Sequence, residues 1–151
     1  IAKFNRDGNW VTGWGQTGSG QGQFNRIRGI VTDAAGNVYV ADSGNNRIQV
    51  FDGGGTFKSQ MTGIGTPQAI CITNGPTQYL YTSDSEPGRI YKLTLDGTII
   101  GSMGESGRGP NQFNWIHSLA CPSDDVLFVA DMNNWRVQKL MLRSGSRTSA
   151  R

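Results

Sequence analysis

Cysteine, histidine and long apolar runs are what this sequence has least of. Its two cysteines, Cys71 and Cys121, form no Cys-x-x-Cys pair, which excludes a small disulfide scaffold and a paired-cysteine metal knuckle. The single histidine, His117, cannot by itself close a three- or four-ligand metal site. No stretch approaches the ~20 apolar residues of a membrane-spanning helix. No signal peptide is visible and the first residue is Ile1, which suits a processed N-terminus or a piece of a longer protein. Charge is sparse, at 17% of residues, and nearly balanced, with 14 basic against 11 acidic. The excess sits in Arg143, Arg147 and Arg151, within a nine-residue tail that has no acid. The body is therefore neutral, which argues against a uniformly basic nucleic-acid surface. The tail, residues 143–151, reads as a basic flexible segment.

Glycine is abundant: 22 of 151 residues, about twice the usual ~7%. Each glycine inside a helix costs roughly 1 kcal/mol, so this load argues for short strands joined by tight turns. Internal repetition gives those strands an order. Residues 28–51 (RGIVTDAAGNVYVADSGNNRIQVF), 68–93 (QAICITNGPTQYLYTSDSEPGRIYKL) and 117–140 (HSLACPSDDVLFVADMNNWRVQKL) share one pattern. An apolar run, a turn and a second apolar run end on an Asp, and an Arg follows five residues later: Asp42 and Arg47, Asp84 and Arg89, Asp131 and Arg136. Residues 7–24 (DGNWVTGWGQTGSGQGQF) and 96–113 (DGTIIGSMGESGRGPNQF) form a second matched pair, and residues 1–4 align with 48–51. The first repeat divides into strands a to d at 29–33, 38–41, 47–51 and 57–61, separated by Gly, Asn and Asp turns. A period of about 40–50 residues with four strands per unit is that of a β-propeller blade.

The segment GIVTDAAGNVYVADSGNNRIQVF resembles the NHL repeat, with its inner apolar strand, Asp-x-x-Gly-Asn turn, Val-Tyr-Val-Ala-Asp and Asn-x-Arg-Ile-Gln-Val-Phe. The third repeat keeps LFVAD and NNWRVQKL; the second is worn, with Thr82-Ser83-Asp84 in place of Val-Ala-Asp. The resemblance covers residues 1–142 and implies an all-β, NHL-type propeller. It divides into outer strands and connection at about 1–25, then blades at 26–62, 67–104 and 115–142. NHL propellers usually have six blades, and this chain holds three plus a surplus strand. The expectation is therefore a closed six-bladed assembly, completed by another copy, by a partner chain or by the remainder of a longer polypeptide. An open arc would leave strand edges bare.

The Asp-x4-Arg pairs recur in every blade, so they read as structural braces rather than as a binding site. Function belongs where the blades differ. The residue opening strand a is Arg28, Gln68 and His117 in turn, and a propeller directs these positions to one channel mouth, where convergent polar groups make a default binding site. Trp115 and Trp135 are expected on the same face, as aromatic anchors for a protein partner, while Trp10 and Trp14 are expected near the outside. The leading functional expectation is a non-enzymatic protein-interaction or assembly platform using Arg28, Gln68, Trp115, His117 and Trp135, with no cofactor.

The resemblance to kin of NHL propellers, the peptidyl-hydroxyglycine amidating lyases, implies an alternative. There a divalent metal would use His117 as one ligand, although Ile116 replaces the Pro of that motif and Arg28 and Gln68 stand where further ligands belong. RNA binding, known for some NHL propellers, would use Arg26, Arg28, Lys58, Arg108 and Arg136. The glycine run 18–22 is the inter-blade connection, since a dinucleotide loop needs a strand before it and a helix after. Cys71 and Cys121, on adjacent strands a, are expected as two separate buried thiols, because packed sheets lie ~10 Å apart. A secreted or periplasmic location fits the sequence style.

Overall fold

A computed structural model describes residues 1–84 and 88–142. The basic tail, 143–151, lies outside the described residues. The chain opens with a hairpin of β1 (Ala2–Phe4) and β2 (Trp10–Gly13). In the connection that follows, β3 (Gln16–Thr17) pairs in parallel with β4 (Gln23–Phe24). The first four-stranded blade is β5 (Ile27–Thr32), β6 (Val38–Asp42), β7 (Arg47–Phe51) and β8 (Phe57–Met61), in that order and antiparallel throughout. The second is β9 (Pro67–Ile72), β10 (Tyr79–Asp84), β11 (Arg89–Thr94) and β12 (Ile99–Met103). A second parallel pair, β13 (Glu105–Ser106) and β14 (Gln112–Phe113), leads into β15 (Ile116–Ser123), β16 (Val126–Asp131) and β17 (Arg136–Met141). No described helix is long and apolar enough to cross a membrane.

The turns follow from side chains that supply their own hydrogen bonds. Asp33 accepts from the Asn37 N–H at 2.8 Å and its side-chain amide at 2.7 Å. Gly36 occupies the left-handed position of that turn, at φ +81°. Asp52 does the same for the Gly54 and Thr56 N–H groups.

The apolar residues form a series of inter-blade cores. Tyr39, Ile48, Val50 and Met61 of the first blade meet Ile70, Leu80 and Leu93 of the second. Tyr81 and Ile90 of the second meet Leu119, Leu127, Val129 and Leu140 of the third. Trp14 differs from the expectation of an outer position. It turns inward with Ile1 onto Phe24, Val38 and Phe51, its ring 5.8 Å from that of Phe51, because Gly55 leaves room for it. Trp10 is exposed.

Repeat-equivalent positions show where each blade expects a neighbour. Val137 is 70% exposed, yet its counterparts Ile48 and Ile90 are 0% and 1% exposed. Ile30 is 50% exposed, against 8% for Ile70 and 7% for Leu119. Each inner residue is covered by the adjoining blade, so both end faces of this arc are built like interior ones.

The cysteines correct the expectation of separate thiols: Cys71 and Cys121 form a disulfide, with Cα atoms 6.1 Å apart. The ~10 Å sheet spacing does not hold at the innermost strands, where neighbouring blades converge and β9 packs directly on β15. The β15–β16 register also slips between Ala120 and Ser123, and such an irregularity re-aims the Cys121 side chain.

Candidate functional site

The Asp-Arg brace is built from the connection that precedes its blade. Asp42 is fully buried and accepts four hydrogen bonds: from the Asn25 N–H at 2.7 Å, Asn45 Nδ2 at 2.8 Å, Arg47 Nε at 2.8 Å and Gln49 Nε2 at 3.1 Å. Arg47 also donates to the carbonyls of Gly20 and Gln23, at 2.7 and 2.9 Å. The third blade repeats this: Asn114, Asn134 and Arg136 donate to Asp131, and Arg136 reaches the carbonyls of Gly109 and Gln112.

The second blade departs from the expected brace. Among the described residues, Asp84 and Arg89 make no ion pair; Asp84 accepts from the Thr66 N–H at 3.1 Å and Arg89 is exposed. The cause is the length of the connection. Residues 62–66 are too few to bring carbonyls over an arginine, whereas the connections before the other two braced blades each carry a parallel pair. Gly65 stands there instead at φ +67°, and a Cβ at that position would strike the Asp84 carboxylate. Gly65→Ala should therefore lose about 1–3 kcal/mol, read as a lower urea midpoint, while Gly8→Ala, with open space around it, loses less.

Burial alone would raise the Asp131 carboxyl, but hydrogen bonds from the Asn114 N–H and the Asn134 and Arg136 side chains outweigh it and hold the group below the usual carboxylate range. A carboxyl depressed in the folded state stabilises fully above its unfolded pKa of ~4. That contribution should vanish as pH falls through the lower folded value. An NMR titration of the Asp131 carboxyl carbon checks this, with a midpoint below that of Asp in the unfolded chain.

The channel-mouth candidates share one backbone device. The β5–β6 register steps from Ile27↔Asp42 to Gly29↔Ala41, leaving Arg28 as the extra residue. The β15–β16 register steps from Ile116↔Asp131 to Ser118↔Ala130, leaving His117. In β9–β10 the step runs from Pro67↔Asp84 to Ile70↔Thr82, across Gln68. Each candidate thus sits on a bulge at the start of an inner strand, and a bulge re-aims its side chain. Arg28 and His117 are exposed, and Gln68 is buried. β5 packs on β9 and β9 on β15, so the three bulges lie at the same end of adjacent strands.

His117 and Trp135 line one open cleft of about 410 Å³ with Met132, Arg136 and Val137; Arg28, Gln68 and Trp115 do not line it. Both tryptophans are left-handed, Trp115 at φ +67° and Trp135 at φ +53°, an uncommon conformation for a bulky residue. Trp135 occupies the position of Asn46, whose side chain accepts a hydrogen bond from Thr66, on the connection to the next blade, at 2.8 Å. Trp135 is 94% exposed. Among the described residues, no three His, Cys, Asp or Glu side chains stand together as a metal site. Two of the five cations considered for RNA are engaged: Lys58 donates to Asn37, and Arg136 is held in its brace.

A cleft of about 500 Å³ between the second and third blades was not anticipated. Lys92 Nζ lies 4.0 Å from the Tyr79 ring centroid there, and burial, the Asp124 carboxylate and Tyr79 push the Tyr81 phenol up to about 12. The signal was present: Tyr79 and Lys92 replace Asn37 and Val50 of the first blade.

Comparison with known proteins agrees with this architecture. The NHL repeat model matches residues 24–51. Those residues carry an NHL repeat. Human NHL repeat-containing protein 3 is 33% identical over 97 residues, which cover 60% of this chain and 26% of that protein. Drosophila melanogaster protein brain tumor is 40% identical over 98 residues, 60% of this chain and 10% of that one. The chain thus spans a minor part of the curated relatives it matches.

Among solved structures, a catalytically inactive virginiamycin B lyase from Staphylococcus aureus with quinupristin superimposes with a TM-score of 0.63 at 17% identity, over 95% of this chain and 48% of that one. A Bacteroides caccae protein of unknown function gives 0.64 at 15% identity, over 86% and 47%. At these identities the likeness establishes the propeller fold alone.

Proposed function

We propose that the chain is a non-enzymatic protein-interaction platform whose contact surface is the channel-mouth face, with Arg28, Gln68, His117, Trp115 and Trp135 as its contacts. The supporting observation is the bulge that recurs at the start of each inner strand and carries a different polar side chain in each blade. A repeated backbone device holding unrepeated side chains suits recognition, because the rigid strands fix the groups before a partner arrives. The platform needs no cofactor on this reading. A divalent metal at His117 would require ligands from beyond this chain. The ring is completed by another copy, by a partner chain or by the remainder of a longer polypeptide, and the Cys71–Cys121 bond supports a secreted or periplasmic setting.

The test is affinity capture from the source extract with the intact protein and with the Arg28→Ala/His117→Ala variant. A discrete protein held by the first and depleted at least tenfold with the second, at unchanged circular dichroism, is expected. Equal capture by both would end the proposal, as would a chelator-sensitive activity or a low-salt RNA shift without any protein partner.

A further inference from the structure

Resting on the reading that the channel-mouth face receives a protein partner, we propose that this partner presents an acidic segment, whose carboxylates are taken up by Arg26, Arg28, Arg89 and Arg108. The near-neutral composition conceals this, because the fold sorts its charges between two ends.

The carboxylates at the mouth end are consumed by the structure itself. Asp42 and Asp131 are fully buried and paired with Arg47 and Arg136, and Asp84 is buried against the Thr66 N–H. Among the described residues, Glu105 is the acid left exposed at that end, and it accepts from Gln112 Nε2 at 2.9 Å. Glu86 lies outside the described residues. Arg26 and Arg28 flank the start of β5, Arg89 opens β11, and Arg108 lies between β13 and β14, its carbonyl 2.7 Å from Arg136 Nη1. All four are exposed, and among the described residues none of them forms an ion pair. Asp33, Asp52, Asp96, Asp124 and Asp125 stand on the β5–β6, β7–β8, β11–β12 and β15–β16 turns, at the opposite end.

Local structure explains why these guanidiniums are free. Arg26 is left-handed at φ +57°, as is its repeat equivalent Trp115 at φ +67°. Large side chains rarely take this conformation, and such strain gathers at functional sites. Arg28 follows two residues later on its bulge, as His117 follows Trp115. The first blade thus offers a pair of guanidiniums where the third offers an indole and an imidazole. Arg89 is released because the second brace is open: Arg47 and Arg136 are held by connection carbonyls that residues 62–66 do not supply. Gly88, beside it, leaves no room for a Cβ against the carbonyls of Glu105 and Phe113, so Arg89 adjoins the connection that carries Arg108.

Guanidiniums match carboxylates in bidentate geometry and are weakly hydrated. A few therefore suffice for a protein segment, with the half-exposed Trp115 as an anchor for an apolar residue. Nucleic acid instead draws its affinity from the number of phosphates neutralised. Four guanidiniums spread over three blades, with five aspartates at the opposite end, give a polyphosphate chain little.

Fluorescence anisotropy of the full chain with a labelled oligo-glutamate peptide tests this. Binding is expected, and Arg26→Gln/Arg28→Gln/Arg108→Gln should weaken it about tenfold, the scale of three exposed ion pairs. Added salt should weaken it as well. Asp52→Asn/Asp96→Asn, at the opposite end, should leave it unchanged, as should removal of residues 143–151 with their three arginines. An oligouridylate of equal charge should bind more weakly than the peptide. The proposal is overturned by no binding of oligo-glutamate, by equal binding to the arginine variant at unchanged circular dichroism, by binding lost with residues 143–151, or by tighter binding of the oligouridylate. A captured protein that is lost in Arg28→Ala/His117→Ala but held equally at low and high salt would keep the platform reading and end this one.

Discussion

Asp42→Ala should cost about 3–5 kcal/mol, the range for removing one partner of a buried ion pair. Asp42 is fully buried, and the side chain of Arg47 is 9% exposed. Removing the carboxylate leaves that guanidinium in the interior with only neutral acceptors. It also strips partners from the Asn25 N–H and from the Asn45 and Gln49 amides, each a further cost. The carboxylate joins three elements: the connection through Asn25, the b–c turn through Asn45 and strand β7 through Arg47 and Gln49. Its loss should loosen the first blade as a unit. Asp84→Ala is the internal comparison. Among the described residues Asp84 holds one connection N–H and no arginine, so about 1–2 kcal/mol is expected there. Urea unfolding of both variants, fitted with a common slope, measures the difference. Equal losses would show that burial of the carboxylate, and not the arginine brace, sets the stability.

Cys71→Ala should be the second large effect. The bond spans 50 residues of sequence, and a loop of that length removes about 4 kcal/mol of unfolded-state entropy in the chain-entropy model. It ties the innermost strands of the second and third blades, which otherwise cohere through side-chain packing, a hydrogen bond from the Tyr81 hydroxyl to the Asp124 carbonyl and the connection between them. Reduction of the intact protein should lower the urea midpoint to that of Cys71→Ala. The double Cys71→Ala/Cys121→Ala variant should match them and be insensitive to reductant. A midpoint unmoved by reductant would mean that the blades hold together without the bond.

The strands were largely legible in sequence. The strand expected at 57–61 coincides with β8, and 47–51 with β7, because alternation and Gly/Asn/Asp turns are local signals that the sheet does not override. The brace was half legible. Asp42 with Arg47 and Asp131 with Arg136 could be seen, but the failure of Asp84 with Arg89 required the connection. A trace of it was there: Gln49 and Gln138 accompany the long connections, and Tyr91 stands in their place where the connection is short. Both glutamines donate to a connection carbonyl, so their loss together with the parallel pair is one structural change. The bulges that aim Arg28 and His117 left no sign in composition or period, since a bulge is a relation between two strands.

Sequence alone therefore determined that this chain, poor in cysteine and histidine, is a run of β-propeller blades carrying an NHL repeat, with its strands, turns and blade order. Each of those is set by backbone preference and apolar period within a few residues. Tertiary structure decided that the two scarce cysteines meet, that one brace of three is open, that the mouth residues sit on bulges and that both end faces resemble interiors. All four depend on distances between strands far apart in the chain, and those distances are fixed only when the blades pack around a common axis.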